Sequence, residues 1–381
     1  MVLLPTYQPR LRALQAGLTP SPADLVSAIQ EFGTFDNSPN NINPVNPSQP
    51  VYPKADTSDA PYDLSENTLR SAIHIPTTFT YGQKEPVILV PGTGNFGAET
   101  FAGNFIKLLT GVDYADPVWL NIPGGQLADL QTNTEFLAYA INYISGISQQ
   151  RNVSVVSWSA GSLNMRWSGK YWPSTRKNVN NHIAISGDYH GTILADALCP
   201  GFPKVPCDPA VLQQTYDATF IKTLRANGGD SPYVPTTNVV STFDEVVQPQ
   251  ENENASGFAT TDAHNVGITN VEVQNACYAQ AAGTLYSHEG VLYNPLAFAL
   301  AKDALINGGP GQLSRVDTAS ECQKIVADGL DFDDLLLTEA SIPIAAFGLL
   351  AYQPKVLTEP AIKPYAAQDA PSMRIEAQRT R

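Results

Sequence analysis

Two short runs constrain the fold most: Pro86-Val87-Ile88-Leu89-Val90-Pro91 and Val153-Ser154-Val155-Val156-Ser157, each rich in β-branched residues and each closed by a turn of small residues. Runs of this length suit strands buried on both faces, the situation of a parallel sheet covered by helices. Val179 to Ser186, Asn238 to Phe243 and Val266 to Val273 read as further strands. Asn104 to Leu109, Thr134 to Ile144, Leu163 to Tyr171, Val211 to Asn227 and Pro295 to Ile306 read as helices between and after them. Strands alternating with helices predict an α/β fold, a mostly parallel sheet with helices on both faces.

The turn after the second run is Ser157-Trp158-Ser159-Ala160-Gly161, which follows a strand and precedes a helix. That is the layout of a nucleophile elbow, in which small flanking residues let strand and helix approach and the central Ser projects above the sheet. Ser157 stands where Gly is usual, and a Ser here also suits a helix N-cap. A serine hydroxyl needs a base, and the base an orienting acid, in the chain order Ser, acid, His. Of the five histidines, His74, His182 and His190 precede any acid in that order, leaving His264 and His288. His264 lies just before an expected strand. His288, in Tyr286-Ser287-His288-Glu289-Gly290, lies after that strand and before a helix, where the base belongs. Asp244 and Glu245 both follow the strand ending near Phe243, and position alone leaves either as the acid, with Asp244 nearer the strand end.

Acyl transfer also needs donors aimed at an oxyanion. The amide of Ala160 is one, and Thr93, in the loop Pro91-Gly92-Thr93-Gly94-Asn95, offers an amide and a hydroxyl. The same loop has a rival reading: Gly92, Gly94 and Gly97 match a dinucleotide fingerprint, with Asp113 or Asp116 at about the spacing of a ribose-binding acid. A nucleotide-dependent oxidoreductase, however, leaves Ser159, Asp244 and His288 without a role.

The 381 residues allow one large domain or two small ones, and 43% hydrophobic against 15% charged residues supports a folded chain. A net charge of −14 has the wrong sign for tracking phosphates, which argues against a nucleic-acid partner. No stretch reaches about 18 consecutive apolar residues, so no transmembrane span is expected and the chain should be soluble. Ser21-Pro22-Ala23-Asp24 reads as a helix start, and the Asn- and Pro-rich stretch from Asp36 to Pro53 as a linker or surface arm. Residues 1–60 are therefore expected to form an extension ahead of a catalytic domain at 61–381. The first residues lack the pattern of a secretory signal. The four cysteines pair most naturally as Cys199 with Cys207 and Cys277 with Cys322, and their spacing argues against zinc. Disulfides, with sequons at Asn152 and Asn254, point toward secretion.

The chain resembles the Candida antarctica lipase B family of secreted fungal α/β-hydrolases. The resemblance rests on Pro86-Val-Ile-Leu-Val-Pro-Gly-Thr-Gly94, Gln131-Thr-Asn-Thr-Glu135, Trp158-Ser-Ala-Gly161, Asp188-Tyr-His-Gly-Thr192, Gln213-Gln-Thr215, Val234-Pro-Thr-Thr-Asn238 and Asp244-Glu-Val-Val-Gln-Pro-Gln250. It spans about Tyr62 to Ala304, with a further helical segment to near Lys355. It implies an α/β-hydrolase fold and a triacylglycerol lipase without cofactor, or with the same triad a short-chain esterase or polyesterase. It implies Ser159 as nucleophile, Asp244 as acid, His288 as base, and Thr93 with Ala160 as oxyanion hole. Asp188 and Gln214 match a polar pair of the family's acyl pocket, and Trp158 the residue bounding its alcohol-side pocket. Ala160 replaces the family's Gln, keeping the amide and losing a side chain. The Cys277–Cys322 bridge matches a family disulfide, whereas Cys199 and Cys207 fall in a lid-like segment, about 193–210, which a bridge would staple. Residues of about 331–355 are expected at the entrance, with Leu335 to Tyr352 as one wall. The expected partners are a lipid or small ester and a transient lipid–water interface, for a monomeric protein.

Overall fold

The computed structural model describes residues 36–371. The helix expected from Ser21 lies outside them. Seven strands form one sheet: β1 (Ile73–His74), β2 (Glu85–Val90), β3 (Ala115–Leu120), β4 (Val153–Trp158), β5 (Val179–Ile185), β6 (Thr236–Val240) and β7 (Ile268–Glu272). Their spatial order is β1-β3-β2-β4-β5-β6-β7, with β1 antiparallel to β3 and every other pairing parallel. The α/β architecture expected from the alternation is thus the one observed.

Period-two alternation sorts the strand residues into two cores. Val87, Leu89, Val156, Trp158, Ile183, Ile185, Val239 and Val271 face one layer, packed against Leu296, Ala297 and Leu300 of the helix Pro295–Asn307. Ile88, Val90, Val118, Leu120, Val153 and Val155 face the other, packed against Phe136, Ala140 and Ile144 of the helix Leu130–Ile147. The central strands β2 and β4 are buried along their whole length, which is why they read as apolar runs and not as alternating ones.

Among the differences from the sequence reading, two bear on the sheet and the site wall. Strand β3 was not expected, because Asp116 and Pro117 disguise it. Proline is tolerated there since β1 pairs only with Trp119 and Leu120, leaving Pro117 an edge on that side. Asp116 is satisfied locally, its carboxylate accepting the Thr80 hydroxyl at 2.6 Å. The single helix expected over 211–227 is instead two, Pro209–Gln213 and Thr219–Arg225. The break follows from the Gln214 carbonyl, which accepts the Thr192 amide at 2.8 Å in a parallel bridge between Thr192 and Thr215.

The Asn- and Pro-rich arm drapes over the sheet edge. Asn41 donates its amide to the Ser71 carbonyl at 2.8 Å, and the Asn43 side chain donates to the carbonyls of Arg70 and Ile73 at 2.9 and 2.8 Å. Asparagine suits this work because its side-chain amide satisfies carbonyl groups that the end of the helix Glu66–Ser71 and the edge strand β1 would otherwise leave unpaired. Near the other end of the described chain, the helices Phe332–Glu339 and Ser341–Ala351 follow one another directly. Together the 20 residues from Phe332 to Ala351 have the length and apolar character of a membrane span, with a mean hydropathy of 1.5, a longer apolar helical stretch than the sequence reading expected. Of this window 44% is buried within the fold.

Candidate active site

The loops at the carboxyl ends of β2, β4, β6 and β7 converge on one cavity. At the end of β4 the chain turns sharply, and Ser159 takes a φ of +54°, a left-handed conformation costly for a residue with a side chain. The helix Gly161–Tyr171 starts immediately after it, and a Cβ on Gly161 would lie 2.7 Å from the Val90 carbonyl oxygen. A Cβ on Gly92 would lie 2.9 Å from the Ser159 Cβ, so both glycines admit the elbow by having no side chain. Ser157, where the usual elbow has Gly, pairs its hydroxyl with His182 Nε2 at 2.8 Å, both fully buried. Burial pushes the His182 imidazole down to about 3, which keeps it neutral.

The loop after β6 carries Asp244 and Glu245, the two acids expected from the sequence. Ser241 ends the strand earlier than expected: its hydroxyl donates to the Tyr286 carbonyl at 2.7 Å and accepts the Phe243 amide at 3.1 Å, turning the chain. Asp244 is thereby aimed inward. Its Oδ1 accepts the amides of Val246 and Val247 at 2.9 and 2.7 Å, and its Oδ2 lies 2.7 Å from His288 Nδ1. Glu245, the other candidate, holds the backbone instead of the ring, its Oε2 accepting the His288 amide at 3.0 Å. The His288 carbonyl is held as well, by Trp158 Nε1 at 3.1 Å and the Ser186 hydroxyl at 2.8 Å. His288 is therefore fastened at its amide, its carbonyl and Nδ1. Its Nε2 is buried without a hydrogen-bond partner among the described residues, and His288 borders the cavity that Ser159 also lines.

That cavity, about 390 Å³, is lined on its polar side by Thr93, Ser159, Gln214 and His288, and elsewhere mainly by apolar groups. Leu194, Ala195 and Leu198 come from the segment at 193–210, and Ile342, Ala345 and Leu349 from the helix Ser341–Ala351. Thr93 and Gln214 hydrogen bond through Oγ1 and the side-chain amide at 2.9 Å. Trp158 lines the cavity while its ring stacks at a tilt on His288, with centroids 5.0 Å apart. Asp188 is placed differently from Gln214: it is fully buried and absent from the lining, its amide taken by the Ser162 hydroxyl and one carboxyl oxygen near Ser256. Burial, with the Asp244 charge added, holds its carboxyl well above the usual range.

The remaining histidines stand elsewhere. His74 stacks on Trp119 at 4.2 Å, His264 on Tyr233 at 4.4 Å, and His190 lies 3.8 Å from Asp230. The glycines of the loop make close contacts within the protein: a Cβ on Gly94 would meet Ala345 at 2.8 Å, and one on Gly97 the Leu120 carbonyl at 2.6 Å. Packing alone therefore accounts for both glycines, with no bound nucleotide required. The disulfides Cys199–Cys207 and Cys277–Cys322 are both formed. The first lies in the wall segment, and Cys207 exchanges two backbone hydrogen bonds with Val356, at 2.9 and 2.8 Å, beside an ion pair of Lys355 with Asp208 at 2.6 Å. Ser186 and Glu245 as supports of the His288 backbone were not anticipated. Ser186 follows β5 with a φ of +49°, a placement that no local sequence pattern announces.

No family model matches the chain. Lipase B of Pseudozyma antarctica is 31% identical to it over 315 residues, 81% of this chain and 87% of that protein. The crystal structure of Aspergillus fumigatus lipase B superposes with a TM-score of 0.86 at 49% identity, covering 93% of this chain and 84% of that one. With the parallel sheet, the elbow and these two likenesses in agreement, the chain belongs to the lipase B family of α/β-hydrolases.

Proposed function

We propose that the protein is a serine carboxylic-ester hydrolase, a triacylglycerol lipase, working through Ser159, His288 and Asp244. The carrying observation is the 2.7 Å contact of Asp244 Oδ2 with His288 Nδ1, which leaves Nε2 unpartnered at a cavity shared with a serine on a strained turn. Asp244 fixes the tautomer with the proton on Nδ1, so Nε2 accepts the Ser159 proton as the hydroxyl attacks the ester carbonyl. The hydrogen bond between Ser159 and Nε2 forms as substrate closes the site, a tightening common to such pairs. The amides of Thr93 and Ala160 and the Thr93 hydroxyl hold the oxyanion, each donor worth ~2.7 to 4 kcal/mol. The imidazolium then protonates the leaving alcohol, and water, deprotonated by the same ring, releases the acid from Ser159. No cofactor enters these steps.

The apolar walls from 193–210 and 331–355 favour acyl chains, at ~0.8 kcal/mol per buried methylene. Exposed Leu198, Phe347 and Leu350 at the mouth suit transient contact with a lipid–water interface. The two disulfides suit an extracellular protein. The catalytic unit is read as beginning near residue 61, with the preceding arm as an extension of it. A fluorophosphonate should label Ser159, located by peptide mass spectrometry, and Ser159→Ala should abolish both labelling and hydrolysis. Full activity in that variant, or labelling elsewhere, overturns the reading. Rates across acyl lengths separate a lipase from a short-chain esterase or polyesterase.

A further inference from the structure

Beside His288 the protein buries acid that the mechanism does not use. Glu289, the next residue, is buried, and its Oε2 accepts no hydrogen bond among the described residues. Its carboxyl reaches that of Glu339, which closes the helix Phe332–Glu339. Glu339 Oε1 accepts the Tyr293 hydroxyl at 2.6 Å and lies 3.4 Å from the Ser287 hydroxyl. The residues on both sides of the base thus converge on one carboxyl of the helix that leads into the entrance wall. Gly290 completes the fit: a Cβ there would stand 2.9 Å from Ser287 Oγ and 3.0 Å from the Tyr293 hydroxyl.

The groups facing the pair are Glu245 and Asp244 from the loop after β6, Tyr293 from the turn Gly290–Tyr293, and Ser287 and His288 from the base loop. Two carboxyls meeting in a dry, acid-lined site do not both ionise, so they share one proton. Burial first, then the neighbouring acids, holds both carboxyls above the usual range, Glu289 well above it, and the Tyr293 hydroxyl donates to Glu339. Because Glu339 Oε1 already accepts from Tyr293, the arrangement that satisfies both carboxyls has Glu289 as the donor to Glu339.

On the reading of His288 as the base, we infer that Glu289 is a positioning residue: as a neutral acid bonded to Glu339, it clasps the His288 loop to the entrance helices. The clasp depends on pH. A carboxyl raised by folding contributes stability that is complete below its unfolded range and is lost as pH rises through its folded value. Above that value four carboxylates crowd the base loop and the clasp opens.

The test compares Glu289→Ala, Glu289→Gln and wild type in kcat, KM and the pH profile of kcat/KM on a soluble ester, with Tm measured over the same pH range. Glu289→Ala should lower kcat about tenfold with KM little changed, one lost hydrogen bond's worth. Glutamine keeps a donor that does not titrate, so Glu289→Gln should recover most of that loss. It should also move the alkaline limb of kcat/KM upward by about one pH unit or more and flatten the alkaline fall of Tm. If the limb and the Tm profile of Glu289→Gln superimpose on wild type, the clasp is wrong. Phosphonate labelling of the wild type tests the catalytic reading separately. An unlabelled Ser159 would reject that reading, and the Tm profile would then decide the clasp.

Discussion

Asp244→Asn tests the catalytic geometry most sharply, because the structure dictates how the new amide must sit. Asp244 Oδ1 accepts two backbone amides, from Val246 and Val247. An asparagine that turned its NH2 toward them would set donor against donor and lose both bonds, at ~1 to 3 kcal/mol each. The carbonyl must therefore stay with the amides, and the NH2 must face His288 Nδ1. Nδ1 then has to accept, the ring proton moves to Nε2, and Nε2 no longer takes the Ser159 proton. Loss of the correct tautomer is worth on the order of 10⁴ in kcat, about 5.5 kcal/mol. Steady-state hydrolysis of a p-nitrophenyl ester measures it, with Tm confirming that the variant is folded. Glu245→Gln keeps a carbonyl for the His288 amide and should cost less than about tenfold. A folded Asp244→Asn within tenfold of wild type, or a Glu245→Gln more damaged than it, would refute the assignment of the acid.

Two further outcomes follow from contacts around the site. Ser157→Ala strips the buried His182 Nε2 of its partner and should lower unfolding stability by ~1 to 3 kcal/mol, read from urea midpoints; an unchanged midpoint would count against that pairing. Removing the Cys199–Cys207 bridge by Cys199→Ala with Cys207→Ala should alter activity on emulsified triglyceride more than on a short soluble ester, and equal effects on the two would dismiss a role for the bridge at the mouth.

The sequence made the centre of the sheet legible because β2 and β4 are buried on both faces and read as short runs rich in β-branched residues. It was least informative where tertiary contacts override local pattern. Asp116 and Pro117 conceal β3, whose status as an edge at Pro117 depends on how little of it β1 covers. The helix break at Gln214 depends on Thr192, far away in the chain. Within the site, Ser159 and His288 stood out by motif and order, whereas position left Asp244 and Glu245 both open, with Asp244 nearer the strand end and named as the acid only by the resemblance. The fold adds the physical difference, one carboxylate on the imidazole and the other on the backbone amide. Glu289 and Glu339 lie 50 residues apart in sequence and carry no pattern that would join them.

The backbone exchange between Cys207 and Val356, with Lys355 on Asp208, ties the two apolar sides of the cavity to each other as well as to the body. Lys355 reaches both: its ammonium also donates to the Leu349 carbonyl, at 2.6 Å, on the helix that lines the opposite side. The mouth is thus one braced frame in place of two independent sides, and a bulky group that pushes against one jamb bears on the other through these bonds. Redesign of substrate scope in this enzyme should accordingly treat both sides as one mechanical unit.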